Sequence, residues 1–227
     1  MPKIRMNGYV TFYEDDDFTA PWKARQAIVI QHGFGRNSEF WRHWVPMLAG
    51  DYRVIRRDLR GHGGSGEPGP SYAWSFDNLL RDLSDLCDAL KLKDFHLLAE
   101  STGGMLGVGY AATRADRLRS LTLCATPKTI GSAGQKLFAF GRASWQSALE
   151  EMGSEGWARA ALTPRNISQH GSGSDRMGDP AVWEGAYGIA CRIQQSHFDD
   201  GCYRTASEGK TASFDPSAHP QRCHVYR

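Results

Sequence analysis

The stretch with the most chemical content is Phe95-His96-Leu97-Leu98-Ala99-Glu100-Ser101-Thr102-Gly103-Gly104. An apolar run that reads as a strand leads straight into Ser101, and a segment rich in small residues, Thr102 to Arg114, reads as a helix starting at once. A strand-to-helix turn this sharp forces the serine backbone into a strained conformation, so its close neighbours must be small. Ala99 and Gly103 meet that demand as small-x-Ser-x-Gly, with Ala in place of the usual first Gly. A serine at a helix N-terminus also has backbone N–H groups and the positive end of the helix dipole close to any developing negative charge. The chemistry this suggests is nucleophilic attack by the Ser101 hydroxyl on a carbonyl carbon. The competing reading of the same residue is a serine N-cap on an ordinary strand–helix turn.

A second segment supports the first. Gln31-His32-Gly33-Phe34-Gly35 follows the apolar run Ala27-Ile28-Val29-Ile30. A loop there can present the backbone N–H of Phe34, and together with the N–H of Thr102 it would form an oxyanion hole. His32 reads as a structural hydrogen-bonding histidine rather than a base. Arg60-Gly61-His62-Gly63-Gly64-Ser65-Gly66 is not a phosphate loop, because no Gly-Lys-Ser/Thr follows, and it does not open a helix. It reads as a turn, with His62 in the loop. Glu100 is expected to point away from the site.

These segments need a scaffold, and the rest of the chain supplies one. Ile4 to Tyr13 is strand-like, with Asn7-Gly8 as a turn signal. Arg53 to Arg56 is a further short strand. Phe76, Leu79, Leu80, Leu83, Leu86, Cys87 and Leu90 recur at steps of three and four after Ser75, which predicts an N-capped amphipathic helix. Leu121 to Ala125 is another strand. Such alternation implies a mostly parallel sheet wrapped by helices. From Pro127 to Ile189 the pattern is helical only, with helices expected over Gln135 to Met152 and Glu155 to Leu162. An insertion at that point would sit over the carboxyl edge of the sheet, where open α/β sheets place their sites. Its other reading is a helical connection with no role toward substrate.

Bulk properties narrow the field. With 227 residues, 41% of them hydrophobic and 23% charged, the chain suits one core-forming domain, with room for an inserted subdomain. A net charge of +2 is too weak to argue for nucleic acid or an anionic membrane, and neither is expected as a partner. No apolar run is long enough to span a bilayer, and the acidic Glu14 to Asp17 stretch leaves no signal-peptide pattern. Five cysteines without paired spacing suit a reducing compartment, so a cytoplasmic location is expected. No Cys/His cluster has metal-ligand spacing. The partner expected is a small-molecule substrate, and oligomeric state is not fixed.

Taken together the pieces resemble the α/β-hydrolase superfamily, in particular its enol-lactonase and esterase branch. The resemblance rests on His32 to Gly35, Trp41, Trp44 to Leu48, Tyr52 to Ser65, the helix from Ser75, the elbow Ala99 to Gly104 and the strand Leu118 to Ala125. It implies an α/β-hydrolase sheet with flanking helices and a helical cap. It further implies hydrolysis of a small ester, lactone or related carbonyl compound, with Ser101 as nucleophile, Phe34 and Thr102 as oxyanion donors, and no cofactor. Phe34, Trp41, Trp145 and Trp157 are candidates to line the pocket, although residues of these types more often fill a core. Perhydrolases and C–C hydrolases share the scaffold, as do dehalogenases, whose nucleophile is Asp rather than Ser.

The resemblance also implies a late acid and histidine, in the order Ser, Asp or Glu, His. Residues 194–227 do not supply the strands to hold them. Two strand–helix units need roughly 60 residues, at about 30 each. The stretch has no Leu, Ile, Met or Trp and a single Val, Val225. The expected organisation is therefore a core over 1–126, a cap over 127–193 and an aberrant tail over 194–227, with the C-terminal parallel strands missing. His197, His219, His224, Asp199, Asp200 and Asp215 are candidates for base and acid that no predicted strand positions. An impaired hydrolase that only binds its ligand is the alternative function.

Overall fold

The structure is a computed structural model. It describes residues 3–6, 8–67, 69, 71–161 and the backbone of 224–226. The strands are β1 (Lys3–Met6), β2 (Tyr9–Asp16), β3 (Gln26–Gln31), β4 (Tyr52–Arg57), β5 (Phe95–Glu100), β6 (Leu118–Cys124) and β7 (His224–Tyr226). The helices are α1 (Val45–Leu48), α2 (Phe76–Ala89), α3 (Thr102–Arg114), α4 (Ser132–Ala139) and α5 (Trp145–Ala161). A 3₁₀ turn over Ser38–Trp44 precedes α1. The described strands form one sheet in the order β1-β2-β4-β3-β5-β6-β7. Strands β4, β3, β5 and β6 run parallel; β1, β2 and β7 join antiparallel. This is the mostly parallel α/β sheet that the alternating pattern predicts.

The two central strands explain their own composition. Ala27 and Val29 of β3 and Phe95, Leu97 and Ala99 of β5 pack into the core under α2 and α3. Ile28, Ile30 and Leu98 face the opposite layer, with Trp41, Val45 and Val54. A strand covered on both faces needs apolar side chains at successive positions, hence the unbroken runs. Helix α2 buries Leu79, Leu80, Leu83, Leu86 and Cys87. Full burial of one such leucine contributes about 1.5–3 kcal/mol. Ser75 caps the helix by accepting from the Asn78 N–H at 3.1 Å, as its position predicts.

Two expectations change. A single helix over 135–152 is replaced by α4 and α5, separated where Phe140 (φ 47°) and Gly141 (φ 80°) leave the helical region. Within α5, Gly153 is itself non-helical (φ 68°, ψ 170°), close to the break expected after Met152. The tail also contributes a strand: His224–Tyr226 pairs antiparallel with β6, Val225 opposite Thr122. A three-residue antiparallel segment is not a parallel strand–helix unit, but it does engage part of the β6 edge that would otherwise invite pairing. Residues 162–223 lie outside the described residues, and with them the second half of the expected cap and most of the expected tail. No described helix is long and apolar enough to cross a membrane.

Candidate active site

Strand order creates the site. β3 and β5 are neighbours, with Gln31 opposite Ala99. From β3 the chain turns to β4 on one side, whereas β5 continues to β6 on the other. Diverging connections open a crevice at the carboxyl ends of the two strands. The loop after β3, carrying Gly33 and Phe34, and the turn after β5, carrying Ser101 and Thr102, meet there.

Ser101 has φ 52° and ψ −125°, a conformation that L-residues rarely adopt. Such strain costs about 1–3 kcal/mol and persists only where the surroundings enforce it. Here the Ser101 N–H donates to the Cys124 carbonyl at 2.9 Å, and the Gly104 N–H donates to the Ser101 carbonyl at 2.9 Å. Close packing adds to this. A Cβ on Gly103 would stand 2.9 Å from the Gln31 carbonyl oxygen and nearer still to that of His32, so only glycine lets α3 start against β3. Among the described residues, Ser101 Oγ makes no hydrogen bond.

The loop opposite is pinned from below. The Gly33 N–H donates to Glu100 Oε2 at 3.0 Å, and Arg36 Nε lies 3.5 Å from Glu100 Oε1. The Arg36 guanidinium also covers the Phe40 ring at 3.6 Å. Burial pushes the Glu100 carboxyl above its usual range, while Arg36 and the Gly33 N–H pull it back. Glu100 thus turns under the loop that carries Phe34 and anchors it. The sequence reading missed this role; an acid flanking Ser101 and an arginine three residues after Gly33 were the available signal. The Phe34 N–H donates to Thr102 Oγ1 at 2.8 Å, which joins the two oxyanion candidates directly.

Both nearby histidines are spoken for by burial. His32 Nδ1 contacts the Gly33 carbonyl at 2.7 Å and its Nε2 accepts from the Leu59 N–H at 2.9 Å, so Nδ1 carries the proton. Burial pushes its pKa down to about 3. His62, expected as a loop residue, is also fully buried, its ring 5.3 Å from that of His32 and 6.0 Å from Phe34. Burial, aided by His32, pushes it down to about 3 as well. Neither is a ready proton acceptor at neutral pH.

Above the loop, α4 and α5 bring an aromatic cluster onto Phe34. Trp145 and Trp157 meet the Phe34 ring edge-on at 5.0 and 5.4 Å and stack on each other at 5.9 Å. Trp157 Nε1 donates to the Phe138 carbonyl at 3.0 Å, which ties α5 to α4. Of the four aromatics expected to line a pocket, Phe34, Trp145 and Trp157 come together. Trp41 does not: it packs in a separate core cluster with Ile30 and Val45, on the sheet face opposite α2 and α3.

The remaining candidates are only partly visible. His197, His219, Asp199, Asp200 and Asp215 lie outside the described residues. The backbone of His224 sits on β7 opposite Leu123, which in turn pairs with Ala99, two residues before Ser101. Among the described residues no group of three His, Cys, Asp or Glu side chains could hold a metal ion.

Comparison with known proteins gives a consistent picture. Residues 26–151 match the family described as alpha/beta hydrolase fold. The fluoroacetate dehalogenase of a Burkholderia species is 36% identical over 100 residues, covering 43% of this chain and 33% of that protein. The dihydrolipoyllysine-residue acetyltransferase component of the acetoin cleaving system of Pseudomonas putida is 32% identical over 174 residues, covering 75% of this chain and 46% of that protein. The crystal structure of the enol-lactonase from Burkholderia xenovorans LB400 superposes with a TM-score of 0.70 at 27% identity, over 85% of this chain and 72% of that one. The matched stretches thus span less than half the length of these two curated relatives.

Proposed function

The chain belongs to the alpha/beta hydrolase fold family, and from that premise we propose that it is a serine hydrolase acting on a small ester, lactone or related carbonyl compound. The observation that carries the reading is the strained Ser101 backbone at the head of α3, facing the loop that holds Phe34. In this reading Ser101 Oγ attacks the carbonyl carbon, and charge developing on the oxygen is met by donors from Phe34 and Thr102. One well-placed donor of this kind is worth about 10²–10³ in kcat. The site is preorganised: Glu100 and Arg36 hold one side of the hole, and the start of α3 holds the other.

Support for the substrate class comes from two directions. The solved structure cited above is an enol-lactonase. The buried Trp145 and Trp157, packed against the half-buried Phe34, give an apolar neighbourhood that suits an apolar body attached to the reacting carbonyl. On this view α4 and α5 act as the cap. A base must still take the Ser101 proton. The β7 backbone at His224 stands at the level of Leu123 of β6. Adjacent strands are about 4.8 Å apart, so its backbone stands roughly 10 Å from that of Ala99.

The test is turnover of a panel of short-chain aryl esters and small lactones by the unaltered chain and by Ser101→Ala. Hydrolysis that disappears in the variant, with its melting curve retained, supports the reading. Equal activity in both would remove Ser101 from the mechanism.

A second reading has one observation in its favour. Both described histidines beside the crevice, His32 and His62, are buried, with pKa values pushed down to about 3, which suits a protein that binds a carbonyl ligand there without turning it over. Saturable ligand-induced stabilisation without hydrolysis would identify that case.

A further inference from the structure

The Phe34 N–H, required as an oxyanion donor in the reading above, is already engaged, because it donates to Thr102 Oγ1 at 2.8 Å. A donor held this way can serve an incoming oxygen in one of two ways. Either the Thr102 side chain swings aside, or its hydroxyl takes over the role of donor. The surroundings favour the second. The loop side cannot retreat, since Gly33 is bonded to Glu100 and packed against Ser101. The helix side cannot either, since Gly103 rests against the carbonyls of Gln31 and His32. Thr102 is β-branched, which restricts its own rotation about χ1. A hydroxyl that accepts one hydrogen bond still has a proton to give. No described residue accepts that proton, whereas a neighbouring N–H polarises the O–H and strengthens the bond it can donate.

We propose that the Thr102 hydroxyl is a direct oxyanion donor, polarised by the Phe34 N–H behind it, so that the hole consists of the Thr102 N–H and the Thr102 O–H. As the bond between Ser101 Oγ and the carbonyl carbon forms, the carbonyl π pair moves onto oxygen. The Thr102 O–H donates a hydrogen bond to that oxygen without transferring its proton, and the Ser101 proton leaves to the base. Phe34 then acts through Thr102, as a positioning residue.

This proposal rests on the serine-hydrolase reading, and the experiment separates the two. The rate constant for modification by a fluorophosphonate is measured for the unaltered chain, Thr102→Ser and Thr102→Val, with a melting curve for each. Thr102→Ser keeps the hydroxyl and is expected to react within about threefold of the unaltered chain. Thr102→Val is close in shape and lacks only the hydroxyl; with its melting temperature retained, it is expected to react about 100-fold more slowly, the scale of one lost donor. That pattern, loss in Val and rescue in Ser, is not one that a packing role would produce. Equal or faster reaction of Thr102→Val overturns this proposal alone, and faster reaction would mean the hydroxyl merely blocks the Phe34 N–H. An unaltered chain that takes no adduct overturns the serine-hydrolase reading and this proposal with it.

Discussion

Gly33 passes so close to Ser101 that a Cβ on the glycine would stand 2.7 Å from the serine Cβ. The same atom would meet Glu100 Oε2 at 2.8 Å and the Glu100 carbonyl oxygen at 3.0 Å. No side chain fits there. The turn at Ser101 and the loop at Phe34 are therefore built as one unit, in which β3 and β5 each limit the other.

The first prediction follows from that contact. Gly33→Ala forces the loop away from Ser101, and overpacking of this kind costs about 1–3 kcal/mol. In a chain of this size each kcal/mol lowers the melting temperature by about 2–4 °C. Thermal melts check it, and a variant that melts like the unaltered chain would contradict the close packing.

Strain at Ser101 gives a second. Its φ of 52° is a region glycine enters freely. Ser101→Gly is expected to raise stability by about 1 kcal/mol while removing the proposed nucleophile, whereas Ser101→Ala keeps the strain and gains nothing. Denaturant titration of the two variants side by side measures the difference. A glycine variant no more stable than the alanine variant would show that the turn is not strained.

A third concerns pH. His32 and His62 have pKa values near 3 in the folded chain, against an ordinary value of 6.5. Between those limits the unfolded chain binds more protons than the folded one, so stability rises with pH, by about 1.4 kcal/mol for each pKa unit per group. Asp58 and Glu100, both raised by burial, act in the opposite sense and reduce the slope where they titrate. The melting temperature is expected to fall as pH drops from 6.5 toward 4, and His62→Gln to flatten that fall. An unchanged slope in the variant would contradict the assignment.

The aromatic cluster gives a fourth. Trp157 is buried and bridges α4, α5 and Phe34. Trp157→Ala should cost about 3–5 kcal/mol locally. Hydrogen exchange is expected to show lost protection in α5 with β5 unchanged. Equal loss in both strand and helix would mean that α5 and the sheet unfold as a unit.

How much of this was legible beforehand depends on range. Helix α2 was legible because Ser75 and its leucines carry the signal within fourteen residues. The elbow was legible for the same reason, since strand, serine and small residues are contiguous. The break at Phe140 was not, because a phenylalanine in the left-handed region is imposed by surroundings rather than by its own preference. Glu100 gave no sign of its role, because its partners, Gly33 and Arg36, are more than sixty positions away in sequence. Trp41 was placed in the pocket by type, yet an indole fills a core as readily as a binding site. Three residues, His224 to Tyr226, are too few for a period-two pattern to show, so β7 was legible only once β6 was in place.

The central claim is that Ser101 is an activated nucleophile, and covalent labelling tests it most directly. The unaltered chain and Ser101→Ala would each be treated with a fluorophosphonate and weighed intact. One adduct on the unaltered chain and none on the variant is the predicted result, and it requires a base within reach of Ser101. A soluble, cooperatively melting chain that takes no adduct, or an equal adduct on both proteins, would contradict the account.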